Sequence, residues 1–276
     1  MNDRSSPVLL DTHGRQITTL RVSITDKCNF RCTYCMPEAG VALKLHLEIL
    51  RYEQITAIVQ EAARLGIFKV KITGGEPLVR KDIESLIRQL AIIPGITDLG
   101  MTTNGSLLTP EKARVLRDAG LMRINISLDS LDPARFAAIT RGADIVPILR
   151  GIDAAIDAGL SPVKINMVIM EETTHADIDA MKRFCAAKNI QMQTIAHFSL
   201  ERREAHRPMT TDRPPPCHMC NRLRLTADGF LKPCLFSDRE IKVDLNDIRG
   251  SLLSAIDSKP LNGYSCSNRH MSQIGG

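Results

Sequence analysis

The sequence contains no tryptophan and few other aromatic residues, with three tyrosines and seven phenylalanines. So few rings leave little surface on which nucleic-acid bases could stack. The formal net charge of +5 is also modest, and it suits an anionic small molecule better than a nucleic acid. We therefore predict that the protein has no nucleic-acid partner.

Long apolar runs are absent as well. No segment approaches the roughly 18 consecutive apolar residues of a membrane-spanning helix, and residues 1–7 lack the apolar core of a secretory signal. The composition, 43% hydrophobic and 24% charged, is that of an ordinary globular protein. These features predict a soluble, cytoplasmic protein that does not contact a membrane.

Six segments have the alternating, β-branched pattern of strands, and amphipathic helical segments separate them. The predicted strands are Thr19–Thr25, Lys69–Thr73, Asp98–Thr103, Arg123–Leu128, Pro162–Met170 and Gln191–Ala196. Regular alternation of strand and helix predicts a parallel sheet with right-handed crossovers. The predicted fold class is α/β, a partial open (β/α)6 TIM-like barrel over residues 1–198, with functional groups at the C-terminal ends of its strands.

The pattern changes after residue 198. Residues 199–216 are charged and aperiodic, and they end in Pro214–Pro216, which favours a stiff extended segment. Two cysteine-bearing turns and a predicted helix near Leu252–Ile256 follow. We interpret residues 199–276 as a linker and a small C-terminal region that binds a second metal group and ends in Gly-Gly.

Six of the eight cysteines form two groups, and clustered cysteines in a cytoplasmic chain more often bind metal or react than form disulfides. Cys28, Cys32 and Cys35 follow the first predicted strand with C-x3-C-x2-C spacing. Three thiolates suit an iron–sulfur cluster, and they leave one iron of a four-iron cluster open to an external ligand. Structural zinc is the alternative, but zinc requires a fourth ligand, and His46 does not have standard zinc spacing.

The second group is Cys217, Cys220 and Cys234, with C-x2-C-x13-C spacing. Three thiolates again fit a cluster with an open iron. Cys266 is an alternative fourth ligand, which would close the cluster or suit zinc instead.

Two arginines lie between the cysteines of the second group. Arg222 and Arg224 are two residues apart, so both point to one face of an extended strand. Such a pair is often only a solvated basic face. Beside a metal group, however, two guanidinium groups suit a polyanion such as a triphosphate.

Several motifs resemble those of the radical S-adenosylmethionine (SAM) superfamily: the first cysteine motif, T-G-G-E-P at 73–77 and S-L-D at 127–129. Glycines in such loops let the backbone approach a ligand closely. The resemblance implies that a [4Fe-4S] cluster is held by Cys28, Cys32 and Cys35, and that SAM is contacted by Tyr34, Gly75 and Ser127. The implied chemistry is reductive cleavage of SAM to a 5′-deoxyadenosyl radical, which takes a hydrogen atom from the substrate.

Over most of its length the sequence is similar to the GTP 3′,8-cyclase family, from D-T-H-G-R at 11–15 through C-N-R-L-R-L-T-A-D-G at 220–229 to the terminal Gly-Gly. This resemblance implies a lyase that cyclises GTP to (8S)-3′,8-cyclo-7,8-dihydro-GTP in molybdenum cofactor biosynthesis. It implies a Gly-Gly tail inserted into the active site and a second [4Fe-4S] cluster, whose free iron binds guanine, on Cys217, Cys220 and Cys234. The residues it implies around GTP are Arg21, Lys71, Thr102, Lys164, Arg222 and Arg224.

The resemblance further implies a downstream cyclic pyranopterin synthase as partner, an electron donor such as flavodoxin or ferredoxin, and compatibility with a homodimer. Three features depart from the family pattern: Lys71 replaces an arginine, residues 193–198 lack a phosphate-binding arginine, and residues 199–216 are much shorter than the family's segment. Two alternatives stay open. One is a radical SAM enzyme with an auxiliary cluster that acts on a peptide or another small molecule, and the other is a non-catalytic zinc-binding regulator.

Overall fold

The computed structural model describes residues 8–201 and 209–275. Its strands are β1 (Thr19–Ser23), β2 (Lys69–Thr73), β3 (Asp98–Thr103), β4 (Arg123–Ser127), β5 (Val163–Ile169), β6 (Gln191–Ala196), β7 (Arg222–Leu225), β8 (Phe230–Lys232) and β9 (Ile241–Lys242). Its α-helices are α1 (Tyr52–Arg64), α2 (Ile83–Ala91), α3 (Pro110–Asp118), α4 (Pro133–Thr140), α5 (Val146–Asp157), α6 (His175–Ala187), α7 (Ile248–Asp257) and α8 (Met271–Ile274). Short 3-10 turns cover His46–Glu48, Pro77–Val79 and Cys217–Met219.

All nine strands belong to one sheet, in the order β6-β5-β4-β3-β2-β1-β7-β8-β9. Strands β1 to β6 run parallel to their neighbours, and the helices between them make the crossovers of an α/β fold. The predicted open, partial (β/α)6 barrel is confirmed. Strand β7 pairs in parallel with β1, and β8 and β9 continue the sheet antiparallel.

The sheet has one apolar and one polar face because its residues alternate. In β5 the residues at odd positions, Val163 to Ile169, are buried, whereas Lys164 and Asn166 are partly exposed on the other face. The apolar side packs on helices such as α1, whose buried Ile55, Ile58, Val59 and Ala62 follow helical spacing. The polar face of the sheet is therefore available for a ligand-binding site.

Several elements of the fold, among them α4, β8 and β9, have no counterpart in the predicted elements. Helix α4 begins at Pro133, and the carboxylate of Asp132 caps it by accepting a hydrogen bond from the Arg135 N–H at 2.7 Å. Strand β7 comes from the region after residue 198, yet it extends the same sheet as β1.

Within residues 8–201 and 209–275, no helix has the length and apolar character required to cross a bilayer.

Candidate active site

The first cysteine group lies in the loop that follows β1. Cys28, Cys32 and Cys35 line one cavity of about 190 Å³. The loop is held from outside by Arg141, whose guanidinium donates hydrogen bonds to the carbonyl oxygens of Arg31 at 2.7 Å and Met36 at 2.8 Å. The structure thus brings the three predicted sulfur ligands together.

The three thiols lie close enough to affect one another. Burial raises the pKa of Cys28 to about 11 and that of Cys35 to about 12. The pKa of Cys32 is raised by burial, by Asp129 and by the other two thiols.

This donor set fits an iron–sulfur cluster. Soft thiolate sulfurs are the ligands such clusters prefer, and a bound cation would stabilise their deprotonated form. In the described ranges, no three His, Cys, Asp or Glu side chains converge as ligands of a single metal ion. Cys28, Cys32 and Cys35 would be the residues that hold such a cluster.

Tyr34 lies between Cys32 and Cys35 in the sequence. Its side chain is held by Asp129, which follows the C-terminal end of β4. Its hydroxyl donates a 2.8 Å hydrogen bond to Asp129, which also accepts the Val168 N–H at 2.8 Å. Burial raises the pKa of Asp129 to about 6. Ser127, at the end of β4, lines the same cavity.

Gly75 is placed in the loop after β2, directly against the loop after β1. Its N–H donates to the Thr25 carbonyl at 2.7 Å, and a Cβ at this position would overlap the Lys27 carbonyl. Only glycine fits this close approach. The contact brings Gly75 to the wall of the cysteine cavity.

The next residue, Glu76, ties the loop to β3. Its carboxylate accepts hydrogen bonds from the N–H groups of Leu78 and Asn104 and from the Thr103 hydroxyl, at 3.0, 2.7 and 2.6 Å. Burial nevertheless raises its pKa to about 7. The loops after β1, β2 and β3 therefore form one connected wall.

A second cavity of about 260 Å³ lies on the polar face of the sheet and is strongly basic. All six residues predicted around GTP line it: Arg21, Lys71, Thr102, Lys164, Arg222 and Arg224. Strand register explains their grouping, since Arg21 on β1 is paired with Lys71 on one side and with Arg224 on the other.

The cations of this cavity repel one another. Burial lowers the pKa of Lys71 well below its usual range, and the charges of Arg21, Arg123 and Lys164 lower it further. The pKa of Arg224 falls to about 10, mainly because of burial and secondly because of Arg222. Such a buried excess of positive charge favours an anionic ligand.

The two cavities adjoin each other. Thr102, Asn166, Ile195, Phe198 and Met271 line both. The cysteine cavity and the basic cavity therefore share a wall.

The second cysteine group lies beyond the basic cavity. Cys217 and Cys220 belong to the turn before β7, and Cys234 follows β8; the pKa of Cys234 is raised by burial and by the other two thiols. The Nζ of Lys259 lies 3.4 Å from Sγ of Cys220. Although burial acts in the opposite direction, the charge of Lys259 brings the pKa of Cys220 below its usual value.

Cys266, the alternative fourth ligand, is buried in a small apolar cluster with Leu200, Phe236 and Ile274. Its Sγ lies 3.2 Å from the side-chain oxygen of Asn268 and donates to it. Its N–H donates to the Leu200 carbonyl at 2.6 Å. These contacts make Cys266 part of the packed apolar cluster of the C-terminal region.

The C-terminal segment returns to the site. The carbonyl oxygen of Gly275 accepts a 2.5 Å hydrogen bond from Arg224, and a Cβ on Gly275 would overlap the Thr73 hydroxyl. Arg269 anchors the preceding residues through ion pairs with Asp228 at 2.8 Å and Glu240 at 2.9 Å. Gly276 lies outside the described residues.

Several site residues were missed by the sequence analysis, and four of them matter most for the charge and contacts of the site. Arg123 and Asn166 line the basic cavity, and their alternation with apolar neighbours on β4 and β5 could have revealed them. Arg213 also lines it, but from the aperiodic segment 199–216. Lys259 approaches Cys220 from the turn after α7. No local sequence pattern identifies Arg213 or Lys259 as a site residue.

Comparison with known proteins assigns the class. The model of the radical SAM superfamily matches residues 22–185. The structure of Streptococcus suis SuiB bound to S-adenosylmethionine is similar, with a TM-score of 0.67 at 16% identity over 90% of this chain and 66% of that one. Native anSMEcpe with bound AdoMet has a TM-score of 0.64 at 14% identity, over 85% of this chain and 80% of that one. The chain belongs to the radical SAM superfamily, whose members use SAM and an iron–sulfur cluster.

Curated relatives define the family within this class. A GTP 3′,8-cyclase of Pelotomaculum thermopropionicum is 38% identical over 96% of this chain and 99% of its own length. One of Alkaliphilus oremlandii is 40% identical over 96% of this chain and 99% of its own length. The chain belongs to the GTP 3′,8-cyclase family. The first alignment spans 325 positions against 276 residues here, so that relative contains residues without a counterpart in this chain.

Proposed function

We propose that the protein cyclises GTP to (8S)-3′,8-cyclo-7,8-dihydro-GTP for molybdenum cofactor biosynthesis. The observation that carries the proposal is the contact between two cavities, one lined by three cysteines and the other by a cluster of buried cations. A radical formed at the first cavity would meet a nucleotide held by its phosphates in the second. Family membership supports the same substrate, and it favours this activity over the peptide-modifying and zinc-binding alternatives.

The proposed roles follow the placement of the residues. Cys28, Cys32 and Cys35 would hold a [4Fe-4S] cluster, and Tyr34, Gly75 and Ser127 would contact SAM. Cys217, Cys220 and Cys234 would hold a second [4Fe-4S] cluster, which would bind the guanine. The residues that hold the triphosphate and ribose are Arg21, Lys71, Thr102, Lys164, Arg222 and Arg224.

When bound, the first cluster and SAM supply one-electron reductive cleavage, which yields methionine and a 5′-deoxyadenosyl radical. The basic cavity would hold the ribose with its C3′ hydrogen towards the cysteine cavity. Transfer of that hydrogen atom to the 5′-deoxyadenosyl radical would break the C3′–H bond, form 5′-deoxyadenosine and leave a radical at C3′. The C3′ carbon then bonds to guanine C8. A second electron and one proton complete the product, which is an isomer of GTP.

The proposal extends to cellular context. A flavodoxin or ferredoxin supplies the electrons in the cytoplasm, a cyclic pyranopterin synthase consumes the product, and the family resemblance is compatible with a homodimer. Within the chain, residues 1–198 form the radical-generating barrel and residues 199–276 the linker and auxiliary-cluster region.

The test is anaerobic incubation of the reconstituted protein with SAM, dithionite and GTP, followed by mass spectrometry. We expect 5′-deoxyadenosine together with an isomer of GTP, and no nucleotide isomer when ATP replaces GTP. The double variant Arg222→Ala plus Arg224→Ala should lose GTP binding, whereas the exposed Arg239→Ala should behave as wild type. Deoxyadenosine without a GTP isomer would keep the class and reject the substrate.

A further inference from the structure

One wall of the basic cavity is made by a segment that does not belong to the predicted barrel. Strand β6 is the edge of the sheet, and none of its residues, Gln191–Ala196, carries a positive charge. Beside it runs the chain around Arg213, which forms a parallel bridge with Ile195. This segment places a cation where the strand itself has none.

The backbone at this position is held on both sides. The Arg213 N–H donates to the Thr194 carbonyl at 3.1 Å, and the Arg213 carbonyl accepts from the Ala196 N–H at 2.8 Å. Next to it, the carboxylate of Asp212 accepts hydrogen bonds from the N–H and hydroxyl of Thr194 at 2.7 and 2.8 Å. None of these contacts uses the Arg213 guanidinium.

That guanidinium lines the basic cavity. After burial, its charge is the largest influence lowering the pKa of Arg222, and it also lowers the pKa values of Lys164 and Arg21. No carboxylate of residues 8–201 or 209–275 forms an ion pair with Arg213. An anion bound between Arg213 and these cations would reduce their mutual repulsion.

We propose that Arg213 is a phosphate-binding residue of the nucleotide site, supplied by the segment before the second cysteine group. The inference rests on the proposed function and adds a specificity-determining contact to it. Because Cys217 follows only a few residues later, the same segment would join the triphosphate site to the auxiliary-cluster site.

The test compares Arg213→Ala with wild type by anaerobic calorimetry, using GTP and guanosine as ligands. We expect GTP to bind about 10- to 100-fold more weakly, as for the loss of charge-assisted hydrogen bonds, while guanosine binding is unchanged. Arg213→Lys should recover part of the GTP affinity because it restores a point charge without the planar fork. Arg239→Ala is the matched control, and iron content should stay at the wild-type value in every variant.

Two results would overturn this inference alone: wild-type protein binds GTP and Arg213→Ala binds it equally well, or the variant loses GTP and guanosine affinity by the same factor. The second result would mean that Arg213 only shapes the wall. If wild-type protein binds no GTP, the proposed function fails together with the inference.

Discussion

The guanidinium of Arg224 donates a 2.5 Å hydrogen bond to the carbonyl oxygen of Gly275, near the end of the chain. Arg224 is buried, and its neighbours Arg21 and Arg222 are also cationic. The tail therefore presents a carbonyl dipole to a group of positive charges. It reaches this position because Gly275 adopts φ +80° and packs on Thr73.

The first prediction concerns this tail. We expect Gly275→Ala to reduce GTP cyclisation by at least about tenfold, because the added methyl group would overlap the Thr73 hydroxyl and strain the positive φ. Iron content should be unchanged. Gly159→Ala is the matched control, since Gly159 has φ +76° and no atom near the added Cβ. Wild-type turnover in Gly275→Ala would show that the position of the tail is unimportant.

The second prediction separates the two cysteine groups. Replacing Cys28, Cys32 and Cys35 with alanine should abolish 5′-deoxyadenosine formation. The same change at the second group (Cys217, Cys220 and Cys234) should retain SAM cleavage but stop GTP cyclisation. Each triple variant should hold about four irons per chain instead of about eight.

The control for both triple variants is Cys185→Ala, because Cys185 is buried in α6 away from either group. Iron and sulfide analysis with electron paramagnetic resonance checks the result. Zinc at the second group, or wild-type iron content after its removal, would contradict the assignment.

The third prediction concerns Lys259, which is buried and lies 3.4 Å from the Cys220 sulfur. A positive charge and a hydrogen bond at a ligand sulfur stabilise the reduced form of a cluster. We expect Lys259→Met to lower the midpoint potential of the second cluster by tens of millivolts. The measurement is a redox titration monitored by electron paramagnetic resonance, in the background that lacks the first cysteine group.

Lys259 also donates to the carbonyl oxygens of Arg222 at 2.9 Å and Pro233 at 2.7 Å. Lys259→Met should therefore lower the free energy of unfolding by about 1–3 kcal/mol. The exposed Lys81→Met is the control. A lower stability with an unchanged potential would restrict Lys259 to a structural role.

The fourth prediction is a pH dependence. Burial raises the pKa of Glu76 to about 7 in the folded protein, against 4.5 for the ordinary carboxyl. Between these values the folded state keeps a proton that the unfolded state releases, so the free energy of unfolding contributed by Glu76 falls as pH rises. Relative to Glu76→Gln, cluster-free wild-type protein should lose roughly 2–4 kcal/mol from pH 4.5 to 7. Equal slopes in urea unfolding of both proteins would contradict this pKa.

Local sequence patterns predicted the barrel well because its strands and helices each have a buried stripe. Ile55, Ile58 and Val59 on α1 are an example, since they are buried at the helical spacing of an amphipathic segment. The six predicted GTP contacts lie in one cavity for a similar reason: residues at matching positions of parallel strands, such as Arg21 and Lys71, become neighbours.

The remaining site residues depend on contacts between distant parts of the chain. Strand β7 is short. Its pairing with β1 makes Arg21 and Arg224 neighbours, although most of the sequence lies between them. Arg213 lies in an aperiodic segment and Lys259 in a turn. In neither case does a strand or helix periodicity predict which way the side chain points. Their roles could be inferred only after the sheet had brought them to the site.

The central claim is that the cysteine cavity and the basic cavity act on one GTP molecule. The most direct measurement uses GTP with deuterium at C3′, incubated anaerobically with SAM and reductant, followed by mass spectrometry of the 5′-deoxyadenosine. We predict monodeuterated 5′-deoxyadenosine together with an isomer of GTP. Unlabelled 5′-deoxyadenosine, with the GTP recovered unchanged, would contradict the account.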